Sequence, residues 1–183
     1  MNMKKTDSDT ILDQAVGLFR QKGYRSTSMA DIGKAAGLLK GSVYHHFPSK
    51  EAILVGAVER LSEFFQESCF TLAYNERYSE VDRLHGMIDS IEAYFLEHRT
   101  CVMAYLSIEG LDEMPEANEK VTTFFGVWRD TLAHVLVSRY GPLAARALAE
   151  DAIAQMEGAV VMLNIFEDTG SLTRACKNIK ALL

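Results

Sequence analysis

A chain of 183 residues, 48% hydrophobic and 24% charged, suits one sizeable core or a small domain beside a larger one. Its net charge of −6 excludes a nonspecific nucleic-acid coat protein. The charge is divided, however: residues 1–50 hold eight Lys/Arg (4, 5, 20, 22, 25, 34, 40, 50) against four Asp (7, 9, 13, 31), a net of +4, and the remainder holds 11 against 21, a net of −10. A basic head on an acidic body attracts phosphate locally and repels a duplex elsewhere, which favours one docking orientation.

The first helix is expected over about Ser8 to Lys22, with Ile11, Ala15 and Phe19 in one row, Leu12 and Val16 beside it, and Gly23 ending it. The run Thr27–Lys50, TSMADIGKAAGLLKGSVYHHFPSK, then reads as two short helices around a glycine turn, a helix-turn-helix. Ser28 and Asp31 form a capping box that starts the second helix at Met29, and Ile32, Ala35 and Ala36 share one face of it. The turn is Gly37-Leu38-Leu39. A third helix, Lys40 to His46, carries Lys40, Ser42, Tyr44, His45 and His46, with Val43 and Phe47 facing inward. Pro48 stops it and a fourth helix begins near Lys50.

That fourth helix is expected to reach Ala73, with Ile53, Ala57, Leu61, Phe64 and Phe65 along one side, joining head to body. Further helices follow at about Glu80–Glu97, Cys101–Leu111, Pro115–Tyr140, Leu143–Phe166 and Leu172–Leu182. Gly141-Pro142 separates the two longest, and linkers fall at Asn75–Ser79, Asp112–Met114 and Asp168–Ser171. The fold class is all-α. The expected domains are 1–50, a three-helix helix-turn-helix DNA-binding domain, and 51–183, a helical body to which the resemblance described next assigns effector binding and dimerisation.

The head resembles the TetR family of bacterial transcriptional regulators, whose pattern runs F-x-x-x-G-[YF]-x-x-T-[ST]-x-x-x-I-A-x-x-A-G-V-S-x-G-x-x-Y-x-[HY]-F-x-x-K-E-x-L. Phe19, Gly23, Tyr24, Thr27, Ser28, Ile32, Ala36, Gly37, Gly41, Tyr44, His46, Phe47, Lys50, Glu51 and Ile53 match it. The resemblance is specific over about the first 55 residues. Two positions depart from it. Gly33 replaces a small Ala, at a cost of roughly 1 kcal/mol of helix propensity that would loosen the second helix. Leu39 stands where a Ser or Thr caps the third, a loss of about 1 kcal/mol that would leave this helix frayed off DNA. Leu39 is also placed to touch a thymine methyl.

The resemblance implies a regulator, expected to be a repressor, released from a near-palindromic operator by a small, mostly apolar effector. The signal would pass through the helix starting at Lys50. DNA contacts are expected from Ser28, Leu39, Lys40, Ser42, Tyr44, His45 and Lys50, to bases or adjacent phosphates. In the resembled family the last two long helices pair with their mates as a four-helix bundle, and two half-sites roughly 34 to 36 Å apart demand a dimer. Faces assigned to that homodimer, through the helices at about 115–140 and 143–166, are Phe124, Val127, Trp128, Thr131, Leu132 and Val135, and Ala152, Ile153, Met156, Ala159, Val160 and Leu163.

In the body, Phe70, Tyr94, His98, Met103, Tyr105, Phe125, Trp128 and Phe166 are the candidates for an effector pocket, with Tyr74, Phe95, His134 and Met162 as further aromatic, histidine and methionine positions. Residues of these types at helical spacing also build ordinary core. Cys101, after His98 and Arg99 at a helix start, sits where a thiolate would be favoured, although the preferred reading is a buried inert thiol. Cys69, Cys101 and Cys176 show no C-x-x-C spacing, which fits a reducing compartment. The polar N-terminus and the lack of 18 consecutive apolar residues point to a soluble cytoplasmic protein without membrane association.

No catalytic site, cofactor or metal site is expected. The chain lacks G-x-S-x-G and H-E-x-x-H, and Gly37–Ser42 resembles a phosphate loop only superficially. His45 and His46 point about 100° apart on a helix, which does not suit one metal ion. Glu109, Asp112, Glu113, Glu116 and Glu119 form an acidic run that reads as a solvated face or, less simply, a hard-cation site. Two other readings stay open: a regulator switched by a protein or by redox chemistry at Cys101, and a helical small-molecule-binding protein or enzyme with no sequence-specific DNA binding.

Overall fold

The computed structural model describes residues 7–111 and 113–183. Lys4 and Lys5 of the basic head, and Asp112 of the acidic run and its linker, lie outside these residues. Within them the regular elements are all helical: α1 (Asp7–Lys22), α2 (Met29–Ala36), α3 (Lys40–His46), α4 (Lys50–Ser68), a 3-10 helix (Phe70–Tyr74), α5 (Glu80–His98), α6 (Val102–Glu109), α7 (Pro115–Phe166) and α8 (Gly170–Lys180). They fold as two compact units. One runs to Ser62 and takes in Val102–Thr122; the other holds Glu63–Cys101 and Thr123–Leu183.

The first unit is centred on Ile11, Ala15, Phe19, Ile32, Val43, Ile53 and Leu54, all essentially inaccessible to solvent. Phe19 meets Tyr24 edge to face at 5.5 Å. The capping box forms as the sequence implies, with the Ser28 hydroxyl accepting from the Asp31 N–H at 3.1 Å and the Asp31 carboxylate accepting from the Ser28 N–H at 2.8 Å. Met29, Ile32 and Gly33 make the buried face of α2, whereas Ala35 is exposed. Gly33 stands where α2 is closely packed. A Cβ there would stand 3.0 Å from the Leu38 carbonyl oxygen and 3.2 Å from Cγ2 of Val43, so the missing methyl lets the turn and α3 close onto α2.

In the second unit, α4 stops at Ser68 and the chain tightens into the 3-10 helix instead of continuing to Ala73. The Thr71 hydroxyl donates to the Gln66 carbonyl and so competes with the α-helical ladder at that point. An aromatic cluster of Phe65, Phe70, Phe95, Phe124, Phe125 and Trp128 fills the core, with Phe125 stacked on Trp128 at 6.1 Å and Phe70 at 6.3 Å. Gly141, at φ 74° and ψ 164°, breaks α7 into two arms ahead of Pro142.

Most residues of the faces assigned to the homodimer are used within one subunit, Val127 and Ile153 being the exceptions. Phe124, Trp128, Thr131, Leu132 and Val135, and Ala152, Met156, Ala159, Val160 and Leu163, are all buried within a single subunit. An amphipathic stripe says that something covers it, and here the chain covers its own. The large apolar side chains of α7 left outward are Val127, one of the assigned residues, Val137 and Leu143, and, on the face of the second arm opposite Met156, Val161, Met162, Ile165 and Phe166.

Candidate nucleic-acid interface

Only Val43 of α3 is buried. Lys40, Tyr44 and His45 are exposed and Ser42 is half-buried, so the seven-residue helix is held by one apolar anchor and spends its remaining side chains outward. The Lys40 ammonium lies 5.7 Å from the centre of the Tyr44 ring. Leu39 is the N-cap with no side-chain hydrogen bond to the helix, and at 81% exposure its isobutyl group projects into solvent. At the other end, His46 Nδ1 lies 3.2 Å from the Ser8 hydroxyl and its Nε2 lies 3.9 Å from Asp7, tying α3 to the start of α1.

Ser28 is exposed, but its hydroxyl is engaged with Asp31. The Lys22 ammonium, 2.9 Å from Asp31, and the Ser28 hydroxyl hold that carboxyl far below the usual carboxylate range.

Lys50 is placed differently from the expected DNA contacts. Its ammonium donates to the carbonyls of Tyr24 at 2.9 Å and Thr27 at 2.8 Å, with Arg25 at 3.5 Å, and sits 4.2 Å from the centre of the Tyr24 ring. Burial lowers its pKa, an effect opposed by the negative charge of Glu109. An ammonium has three donors, and all three point at the turn between α1 and α2.

The turn is also held from α6, by residues the sequence reading did not single out for this role. The Glu109 carboxylate accepts from the Tyr24 N–H at 2.9 Å, and the Glu109 carbonyl accepts from Nε of Arg25 at 3.1 Å. In sequence Glu109 looked like one member of an acidic run, because its partners are a main-chain amide and a guanidinium some 85 positions away. No group of His, Cys, Asp or Glu among the described residues is arranged to hold a metal ion.

The expected effector residues do not all converge. Phe70, Tyr94 and Trp128 are buried in the second unit, Phe125 and His98 are half-buried there, and the Tyr94 and His98 rings meet at 4.5 Å. Met103 and Tyr105 belong to the first unit, the former buried and the latter 43% exposed, and Phe166 is 69% exposed. Three polar atoms of the body, Nε1 of Trp128, Oε1 of Glu157 and Nε of Arg83, are buried with no hydrogen-bond partner among the described residues. Burial pushes the Glu157 carboxyl up to about 7, against a hydrogen bond with Cys101 that acts in the other direction. Cys101 itself is buried. Beside a carboxyl and out of solvent, its thiol lacks the electropositive, accessible setting that activates a cysteine.

Residues 11–57 match the sequence profile of bacterial regulatory proteins of the tetR family, and residues 81–178 match that of the C-terminal domain of LmrA/YxaF-like transcriptional regulators. The chain is 29% identical over 146 residues to IcaR, the negative transcriptional regulator of the biofilm operon icaADBC in Staphylococcus epidermidis, spanning 79% of this chain and 75% of that protein. The structure of a transcriptional regulator of the same family from Agrobacterium tumefaciens superposes with a TM-score of 0.84 at 26% identity, over 96% of each chain. One from Legionella pneumophila superposes over the full length of both chains with a TM-score of 0.89 at 22% identity, a likeness of fold.

Proposed function

This chain belongs to the tetR family of bacterial regulatory proteins and is a DNA-binding transcriptional regulator rather than an enzyme; from that premise we propose that it represses transcription by holding a near-palindromic operator as a homodimer. The outward face of α3 carries the reading: Leu39, Lys40, Tyr44 and His45 are exposed on a helix whose only buried member is Val43. Lys40 and the Tyr44 hydroxyl suit phosphate, and Leu39, Ser42 and His45 suit base edges. Ser28 contributes at the start of α2. Lys50 acts one step back, by fixing the turn that presents α2.

Residues 1–50 carry the DNA contacts and 51–183 the effector and dimer functions, in the cytoplasm. A small, mostly apolar organic molecule is the effector, received near Phe70, Tyr94, His98, Phe125 and Trp128. The support is chemical: the aromatic cluster includes the buried N–H of Trp128, which has no partner among the described residues and offers one polar handle amid apolar walls. The dimer forms through the second arm of α7, where the exposed residues Ala154, Gly158, Val161, Met162, Ile165 and Phe166 recur at helical spacing. Its small members let two helices approach closely. The effector selects a body conformation whose half-site spacing no longer fits the duplex, and α4 carries the change.

Selecting bound duplexes from a random pool with the purified protein tests the proposal. Enrichment of one inverted repeat, bound with a steep dependence on salt, is expected. Failure to enrich any sequence removes the reading.

A further inference from the structure

The turn between α1 and α2 is bonded from two elements at once. At Tyr24 both main-chain groups are taken: the N–H by the Glu109 carboxylate at 2.9 Å and the C=O by the Lys50 ammonium at 2.9 Å. The neighbouring Arg25 donates to the Glu109 carbonyl at 3.1 Å, and the Thr27 carbonyl accepts from Lys50 at 2.8 Å. The fit is close, since a Cβ on Gly23 would stand 2.5 Å from Oε1 of Glu109. One residue after Thr27 comes Ser28, the cap that starts α2, and α2 carries α3 through Gly33.

We infer that Glu109 is a positioning residue for operator binding: from the end of α6 it fixes the α1–α2 turn, and through that turn the placement of α2 and α3. This rests on the DNA-binding reading above. Two contributions from one residue, a carboxylate and a main-chain carbonyl, set both the height and the rotation of the turn. A side chain contacting phosphate would add affinity on every sequence alike. A residue that sets the placement of α3 instead governs specific recognition, because base contacts depend on register and phosphate attraction does not.

The test uses the full-length protein and a duplex selected by the wild type. Glu109→Ala is expected to weaken binding to that duplex tenfold or more, to leave affinity for random duplex within about twofold, and to speed amide exchange at Tyr24. Glu109→Gln retains an oxygen acceptor for the Tyr24 N–H and should restore specific binding to within about threefold of wild type. Glu113→Ala removes the same charge from the exposed part of the acidic run and should change little. If Glu109→Ala does not fold cooperatively, Glu109→Asp, which keeps the charge but falls one methylene short, carries the same expectation. Wild-type affinity for the selected duplex in the Ala or Asp variant overturns the inference, as does an equal loss in the Gln variant. A wild-type protein that selects no sequence instead removes the DNA-binding reading on which the inference stands.

Discussion

Polar groups are used in opposite ways at the α1–α2 turn of the first unit and at two buried atoms of the second. Around the α1–α2 turn of the first, Lys50 and Glu109 spend their donors and acceptors on named main-chain partners at 2.8 to 2.9 Å. In the second, Nε1 of Trp128 and Oε1 of Glu157 are buried with no partner among the described residues. A satisfied network specifies one arrangement, while an unsatisfied buried atom costs on the order of 1–3 kcal/mol and leaves bonding capacity in reserve. The α1–α2 turn is thus built to hold one geometry, while Trp128 and Glu157 keep bonding capacity in reserve.

The largest effect tests whether the body of one subunit is complete without a second. Ile165→Glu, on the outward face of α7, should dissociate the dimer and abolish operator binding while the monomer stays helical, since a charge buried at an interface centre is left desolvated and unpaired. Sedimentation and circular dichroism together check this. An Ile165→Glu protein that remains dimeric would move the interface elsewhere. Ala159→Glu, by contrast, places its charge in the core of one subunit and should unfold it.

Next in size is Lys50→Met in the head. Loss of an ammonium shared by three carbonyls should destabilise the fold by about 2–3 kcal/mol, read as a shift of the denaturation midpoint at unchanged slope. Because the ammonium faces the turn, the salt dependence of DNA binding should keep its wild-type slope. A slope reduced by about one would instead return Lys50 to the phosphates.

Glu157→Gln sharpens the same contrast from the body. The folded carboxyl lies at about 7, above its ordinary value of 4.5, so the folded state binds more protons than the unfolded between those values. Stability contributed by the protonated form is therefore complete below about pH 4.5 and is lost as pH rises through 7. The Gln variant, neutral throughout, should exceed wild type by up to about 3 kcal/mol at pH 8 and match it near pH 4. Denaturation at the two pH values decides it; an equal gain at both would mean that ionisation is not the cause.

Local signals explain what was legible in advance. Both ends of α2 and the limits of α3 follow from a capping box, one glycine and one proline, each acting within four residues. The end of α4 depended on the Thr71 hydroxyl finding the Gln66 carbonyl, a choice that helical periodicity does not record. Trp128 and Met156 lie on apolar stripes as expected, but periodicity does not tell whether such a stripe meets its own chain or a second copy. Lys50 and Glu109 were harder still. Charged side chains normally suggest charged partners, and theirs are mostly main-chain groups brought near only by the fold.

The smallest effect concerns Leu39. Leu39→Ser supplies the missing N-cap oxygen and should stabilise the protein by roughly 1 kcal/mol, seen as a higher melting temperature, while altering preference at one position of each half-site. An unchanged melting temperature would mean that packing already holds the first turn of α3 in place.

Most direct of all is a comparison of the wild-type protein on its selected duplex and on the same duplex with the two half-sites moved apart by half a helical turn. A dimer reading the major groove through two copies of α3 requires half-sites about 34 to 36 Å apart on one face. Its affinity should fall to the level of random DNA when one half-site is rotated away. Undiminished binding to the altered duplex would contradict the account, because it would mean that α3 does not read the operator as one of a symmetric pair.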